Sequence, residues 1–402
     1  MEWNAQQDAA LLAVDRWLKD PNGSQVFRLF GFAGTGKTTL ARHLAEGVSS
    51  VFFAAFTGKA ALVLKQKGCP NSSTIHSLIY RCKGPRGDSN LNALREMLKT
   101  ERAKENASLD VINQIGQAIY KEETEANQPR FALSETSPLK WADLLVVDEA
   151  SMVGQKLGED LASFGCRILA LGDPFQLPPV RASAYFNPAK PDVMLTDVER
   201  QARENPVLWL ATRVRSGRTL ELGTYGDSQV VSRQSLLENP ELATSADQIL
   251  VGRNKTRHAS NARMRTLHGL EGPLPVEGDR VVCLRNNNQL EILNGSLWDV
   301  LEDSQEYGDL CTLMAREQAG DRLLETAAWT APFRGERINL PWCEACEAEE
   351  FDFGWALTVH KSQGSQWDRV LLVDESAAFT QDAGRHLYTG VTRAAQKIVV
   401  AV

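Results

Sequence analysis

A chain of 402 residues, 43% hydrophobic and 24% charged, carries enough apolar material for two or three buried cores, and it has neither a repeat nor a low-complexity tract. A net charge of −7 argues against indiscriminate avidity for nucleic acid across the whole surface, but not against one basic groove. Its cysteines, at 69, 82, 166, 283, 311, 343 and 346, form no disulfide framework, no apolar run reaches membrane-spanning length, and the start lacks a signal-like basic and apolar region; the cytoplasm is the expected compartment.

The first element, NAQQDAALLAVDRWL from Asn4, has the spacing of an amphipathic helix. The apolar run Val26 to Phe30 then predicts a strand, and GFAGTGKTTL, residues 31 to 40, follows as a glycine-rich turn that opens a helix. Gly31, four residues, Gly36, Lys37 and Thr38 have the P-loop spacing, in the strand–turn–helix setting the pattern requires. Around Gly34, Thr35 and Gly36 the backbone N–H groups can turn inward on a phosphate, and the helix N-terminus adds partial positive charge. Lys37 is expected to reach the β and γ phosphates, Thr38 to hold Mg²⁺, and Thr39 to lie beside them. The loop by itself does not distinguish kinases, GTPases, transporters and helicases.

Further along, VFFAAF (51–56) reads as a strand leading to Thr57 and Lys59, and TIHSLIY (74–80) as an apolar segment. Residues 81 to 140 read as a charged, helical insertion with Leu109, Ile112, Ile115 and Ile119 at helical spacing. LLVVDEAS (144–151) is a buried strand that ends in two carboxylates. Beside a P-loop these have distinct uses: Asp148 to hold Mg²⁺ and Glu149 to polarise the attacking water. RILALGDPFQLPPV (167–180) is another buried strand, delivering Gln176 to the same edge, where an amide can sense the γ-phosphate or the lytic water.

In the second half, RNKTRHASNARMRTLHGL (253–270) has five Lys and Arg residues and no carboxylate, readable as a solvated helix face or as a basic groove. Residues 272 to 350 alternate polar and β-branched residues around Asn294-Gly295, which predicts a hairpin. Cys343 and Cys346 form one CxxC with no second pair at zinc spacing, so packing or surface thiols are expected rather than metal.

GFAGTGKTT, FTGKAA (56–61), STIHSLIY (73–80), VVDEASM (146–152), LGDPFQLPPV (171–180), ALTVHKSQGSQWDRV (356–370) and LYTGVTRAAQKI (387–398) stand in the order of the superfamily 1 helicase motifs. More narrowly, the chain resembles the RecD-like and phage Dda-like branch, superfamily 1B. The resemblance implies an α/β fold of two RecA-like P-loop NTPase domains with mainly parallel sheets, 1–190 and 191–402. It also implies a helical wedge insertion (1B) at 81–140 and a β-rich, SH3-like insertion (2B) at 272–350. The implied activity is an ATP- and Mg²⁺-dependent 5′-to-3′ DNA helicase, acting as a monomer on single-stranded DNA and on junctions with duplex, in a bacterial or phage-infected cell. The alternatives are a DNA-stimulated ATPase that remodels nucleoprotein without unwinding, and the motor subunit of a larger repair complex.

Residue by residue, the resemblance implies that Gln7 reads the adenine edge and that Arg200, in TDVERQARENPVLWLATRVRSG (196–217), and Arg393, in GVTRAA, reach the γ-phosphate from the second domain. A guanidinium suits that task because it stays charged and can bridge two phosphate oxygens. Gly364 is implied at a turn toward the nucleotide. Thr57, Lys59, Thr74, His76, Thr358, His360 and Ser362 are implied as sequence-blind DNA contacts, on loops opposite the nucleotide edge.

Overall fold

The computed structural model of the chain describes residues 3–83, 89–104, 108–126, 130–179, 183–186, 189–197, 205–287, 289–338 and 345–402. A six-stranded parallel sheet organises the first part, in the order β3 (Ser72–Thr74), β2 (Val51–Ala55), β6 (Leu144–Asp148), β7 (Arg167–Gly172), β1 (Val26–Gly31), β8 (Val193–Leu195). Every residue of β6 from Leu144 to Val147 is buried, as a strand covered on both faces requires. Leu144 and Val146 enter one apolar cluster with Ala10, Leu40 and Phe53, while Leu145 and Val147 enter another with Ile75, Leu157 and Phe186. The period-two alternation of a strand thus sorts its side chains into two cores. Helix α1 (Ala5–Lys19) starts at a capping box, in which the Asn4 side chain accepts from the Gln7 N–H at 2.8 Å and the Gln7 side chain accepts from the Asn4 N–H at 3.0 Å.

The second six-stranded sheet runs β18 (Ala356–Thr358), β11 (Gln248–Val251), β19 (Trp367–Val373), β20 (Ala394–Ala401), β10 (Ser228–Val231), β9 (Gly223–Tyr225), parallel except for the β9–β10 pair. A third, antiparallel sheet is built from β12 (Arg280–Cys283), β13 (Leu297–Val300), β14 (Glu306–Tyr307), β15 (Leu310–Glu317), β16 (Leu323–Trp329) and β17 (Phe351–Phe353), around its own core of Trp298, Leu313 and Phe351. No helix among the described residues is long and apolar enough to cross a membrane.

Several sequence expectations need revision at their edges. The first sheet continues to β8, past residue 190. Within 81–140, a two-stranded stem of β4 (Tyr80–Lys83) and β5 (Arg130–Leu133) carries helices α5 (Ser89–Arg102) and α6 (Leu109–Ala126), but Leu139 is fully buried in the first domain's core, so the tail of that segment belongs to the domain. The third sheet closes through β17 on β12, beyond residue 350. The turn expected at Asn294-Gly295 is not the hairpin tip. The connection bridges at Asn287 and Ile292, and Gly295, with φ 86°, donates its N–H to the Cys283 carbonyl at the base of the loop. The carboxylate-free stretch 253–270 is a solvated face only in part, with Lys255, Ala259 and Ala262 exposed. Its helix, Asn254–Leu267, buries Arg257 against Asp352 (2.6 Å) and Arg265 against Asp279 (3.0 Å), and Arg253 pairs with Glu375 (2.7 Å).

Candidate nucleotide and nucleic-acid site

The P-loop joins β1 to helix α2 (Lys37–Ala45) at the carboxyl end of the first sheet. Gly34 and Gly36 both have φ 77°, a left-handed backbone that an L side chain resists, and this winds the loop tightly enough to aim its amides inward. Thr35 is buried, and its hydroxyl donates to the Phe32 carbonyl at 2.8 Å. The Lys37 ammonium donates to the carbonyls of Gly31 (2.8 Å) and Phe32 (2.9 Å), so it is held across the mouth of the cradle. Thr38 Oγ1 lies 3.2 Å from Asp148 Oδ2, which brings the two expected metal-binding groups together, and Thr39 follows on the first turn of α2.

Glu149 stands directly after β6 with φ 51°, a strained backbone for a residue with a side chain, and this turns its carboxylate back toward the second domain. There it lies 3.8 Å from Arg393 Nη1. With its amide oriented to satisfy both neighbours, Gln176 donates to Glu149 Oε2 at 2.8 Å and accepts from Arg393 Nη2 at 3.1 Å. Burial lifts the Glu149 pKa, Arg393 is the strongest opposing influence, and the neighbouring Asp148 raises it further. A carboxylate moved toward neutrality in this way is suited to accept a proton from water. Arg393 itself is 5% exposed, and its Nε and Nη1 donate to the carbonyls of Thr389 (3.1 Å) and Ser365 (3.2 Å). The five groups Lys37, Thr38, Asp148, Glu149 and Gln176 thus converge on one cleft from the first domain, with Arg393 facing them from the second. Arg200 and Cys343 lie outside the described residues.

Gln7 is buried, with its Oε1 used in the capping box and its Nε2 donating to the Thr35 carbonyl at 3.3 Å. Its amide is therefore tied to the P-loop, and reading a base edge would require it to exchange those bonds. Gly364, expected near the nucleotide, has its close neighbours elsewhere: with φ 75°, a Cβ there would stand 2.8 Å from Ala60 Cβ and 2.9 Å from Thr57 Oγ1. It is the point where the second domain's backbone approaches helix α3 (Gly58–Gln66).

The residues expected to touch DNA divide unequally. Thr57 caps α3, accepting from the Ala60 N–H at 3.2 Å, and Thr74 caps helix α4 (Ile75–Ile79), accepting from the Ser77 N–H at 3.2 Å. These helix starts sit beside one another at the carboxyl ends of β2 and β3, and a helix start carries partial positive charge that favours anions. They share the carboxyl end of the sheet with the P-loop, displaced toward its β3 edge, and so are not on an opposite face. The His76 ring lies between Phe56 and Tyr80, with centroids 5.7 Å from each, and Phe131 continues the row 5.9 Å beyond Tyr80. Burial lowers the pKa of His76 and of His360, which favours neutral rings suited to stacking more than to phosphate pairing.

Thr358 is buried and accepts from the Lys361 N–H at 3.3 Å. Ser362 is a correction: it is fully buried, and its hydroxyl is spent on the Val359 carbonyl at 2.8 Å, so it has no surface to offer a phosphate. Lys59 is likewise engaged within the protein, with its ammonium 4.2 Å from the centre of the Trp367 ring and its pKa pushed down to about 8 by burial and by Arg280. Sequence reasoning missed these seams between domains, including a close approach of Leu293, from the third sheet's long loop, to Gly58, where a Cβ would stand 2.8 Å from Leu293 Cβ.

Residues 2–235 match the model of the family described as AAA domain, and residues 353–401 match the UvrD-like helicase C-terminal domain. The chain is 28% identical over 409 residues to the ATP-dependent RecD2 DNA helicase of Deinococcus radiodurans, an alignment covering 94% of this chain and 47% of that protein. The chain therefore spans about half the length of that curated relative. Among solved structures, it is similar to Pif1 helicase in a study of unwinding at forked double-stranded DNA (TM-score 0.56, 18% identity, 100% of this chain and 92% of that one). It is also similar to Pif1 helicase from Bacteroides in complex with ADP-AlF3 and single-stranded DNA (TM-score 0.56, 17% identity, 100% and 93%). Pif1 helicase from Candida albicans is comparable (TM-score 0.53, 17% identity, 100% and 94%). At these identities the likeness is one of fold: a helicase-type core of RecA-like α/β domains.

Proposed function

The chain belongs to the AAA domain family, and from that premise we propose that it is an ATP-hydrolysing motor that moves 5′ to 3′ along single-stranded DNA and separates strands at a junction with duplex. The observation that carries this reading is the divided site. A P-loop, Asp148, Glu149 and Gln176 stand on one parallel sheet, and Arg393 reaches Glu149 and Gln176 from another. A site split between two domains couples bond breaking to domain movement, because the nucleotide's contacts on one side depend on the position of the other.

The donors present fit a hard cation. Thr38 and Asp148 offer oxygens 3.2 Å apart beside a phosphate cradle, the set that Mg²⁺ prefers, and the metal would supply charge neutralisation of the phosphates. Lys37, now bonded to two carbonyls, would exchange them for phosphate oxygens. Glu149 would accept the proton of the attacking water while Gln176 orients that water and Arg393 meets the charge that develops on the γ-phosphate. Loss of the γ-phosphate then removes the partner of Arg393, and the cleft relaxes.

The capped starts of α3 and α4, together with Thr358 and His360 from the second domain, would grip the DNA backbone. Two insertions would complete the machine. The β4–β5 stem with α5 and α6 would serve as the wedge (1B), and the third sheet as the SH3-like element (2B). Phosphate release in the presence of saturating single-stranded DNA tests the reading: wild-type hydrolysis should rise at least about tenfold on adding DNA, and Lys37→Ala should abolish it. Hydrolysis indifferent to DNA would point to another P-loop function.

A further inference from the structure

We propose that Tyr388 is a positioning residue that ties the P-loop to the helix bearing Arg393 and passes the state of the phosphate cradle to that arginine. The proposal rests on the motor reading above. Tyr388 stands on the second domain's helix Ala383–Val391 and is 1% exposed, yet both bonds of its hydroxyl reach into the first domain. The oxygen accepts from the Ala33 N–H at 3.1 Å, and the proton is donated to Asp173 Oδ2 at 2.7 Å. Asp173 is itself 1% exposed at the end of β7, and its other oxygen accepts from the Phe175 N–H at 2.9 Å.

The direction of the hydroxyl follows from this. Asp173 accepts the proton, which leaves a lone pair facing Ala33. Burial and the Asp173 charge both push the phenol pKa well up, so the group remains a neutral donor and acceptor. Ala33 belongs to the loop whose amides are turned toward a phosphate. A hydroxyl that occupies one of these donors in the absence of nucleotide competes with any phosphate oxygen arriving there.

The same helix carries that competition to the finger. Thr389 Oγ1 accepts from the Leu177 N–H at 3.1 Å, just past Gln176, and the Thr389 carbonyl accepts from Arg393 Nε at 3.1 Å. Thus one turn of helix holds the P-loop at Tyr388, the Gln176 loop at Thr389, and the guanidinium four residues on. Arg215 reinforces the seam from the Pro206–Arg215 helix, with its guanidinium 3.5 Å from the centre of the Phe32 ring, beside Ala33. A movement of this helix that lifts the hydroxyl from Ala33 also carries Thr389 and the guanidinium bonded to it.

Tyr388→Phe tests the assignment because it keeps the ring, whose edge-on contact with Phe175 spans 5.2 Å, and removes only the hydroxyl. In the nucleotide-free protein, hydrogen–deuterium exchange at the P-loop peptide containing Ala33 should quicken about tenfold, the effect of losing one hydrogen bond. On saturating single-stranded DNA, kcat for ATP should fall about tenfold while KM holds or falls, since the competing hydroxyl is gone. Unchanged exchange would overturn the contact. Faster exchange with kcat unchanged, or a loss confined to KM, would overturn the positioning role.

Since Tyr388→Phe leaves the buried Asp173 carboxylate short of a donor, the double variant Tyr388→Phe with Asp173→Asn keeps the test open if the single one unfolds. It should show the same exchange and the same kcat loss. If wild-type hydrolysis ignores DNA, the motor reading fails on its own, and the exchange measurement still decides whether Tyr388 holds the P-loop.

Discussion

Replacing Arg393 by alanine separates the chemistry of the cleft from its affinity for nucleotide. The guanidinium is bonded within its own domain to Thr389 and Ser365 and faces Glu149 and Gln176 across the cleft, whereas the phosphate cradle itself is made by the first domain's loop. Ground-state binding should therefore change by no more than about tenfold, or about 1.4 kcal/mol. Turnover should fall by about 10³ to 10⁵, about 4 to 7 kcal/mol of transition-state stabilisation, because a finger arginine meets charge that appears only during transfer. A second consequence carries a sign. Burial raises the Glu149 pKa and Arg393 lowers it, so without the guanidinium the carboxylate holds its proton to higher pH. Because a general base must be unprotonated, kcat is lost as pH falls through this pKa, and the acid limb should move upward in Arg393→Ala. Steady-state hydrolysis on saturating single-stranded DNA across pH, titration with a fluorescent nucleotide, and a thermal melt of each variant measure these terms. Near-normal turnover in a folded Arg393→Ala, or an acid limb displaced downward, would refute the assignment.

Three further outcomes follow from other parts of the molecule. Gly364→Val places a Cβ within 2.9 Å of Thr57 and Ala60 at φ 75°, so it should weaken single-stranded DNA binding by about tenfold or more in fluorescence anisotropy while fluorescent-nucleotide affinity holds; the reverse pattern would return Gly364 to the nucleotide side. Exchanging residues 84–129 for a short Gly/Ser turn on the β4–β5 stem should leave DNA-stimulated hydrolysis largely intact and reduce strand separation, and equal unwinding would remove the wedge assignment. His386, fully buried against Phe379 at 4.0 Å with neither ring nitrogen hydrogen-bonded, has its pKa pushed down to about 4 by burial. The unfolded chain takes up that proton below about pH 6.5 and the folded one does not, so stability present above that pH is lost as pH falls toward 4, by about 3 kcal/mol in the limit. His386→Phe should flatten this part of the acid denaturation profile, and an identical profile would show that the ring titrates normally.

What the sequence disclosed depended on how local each signal was. The P-loop and the Asp148–Glu149 pair are contiguous patterns at strand ends, and their chemistry could be argued from spacing alone; the α/β class followed from the resemblance that the motif order carries. Arg393 stands far along the chain from Glu149 and was legible only through motif order. The arginines of 253–270 misled because Asp279, Asp352 and Glu375, which neutralise them, lie outside the window in which charge was counted. Ser362 misled because a short motif does not say which side chain faces the core. Tyr388 and Asp173 lie inside LYTGVTRA and LGDPFQLPPV without a local signal, since a hydroxyl and a carboxylate that meet across domains leave no trace in either segment.

Direction of movement tests the central claim most directly. Two duplexes of equal length, one with a 5′ single-stranded tail and one with a 3′ tail, would be incubated with the protein, ATP and Mg²⁺ under single-turnover conditions with a trap for released strand. Strand displacement confined to the 5′-tailed substrate, and lost in Lys37→Ala, is the expected result. Displacement of the 3′-tailed duplex instead, or robust DNA-stimulated hydrolysis with neither duplex opened, would contradict it.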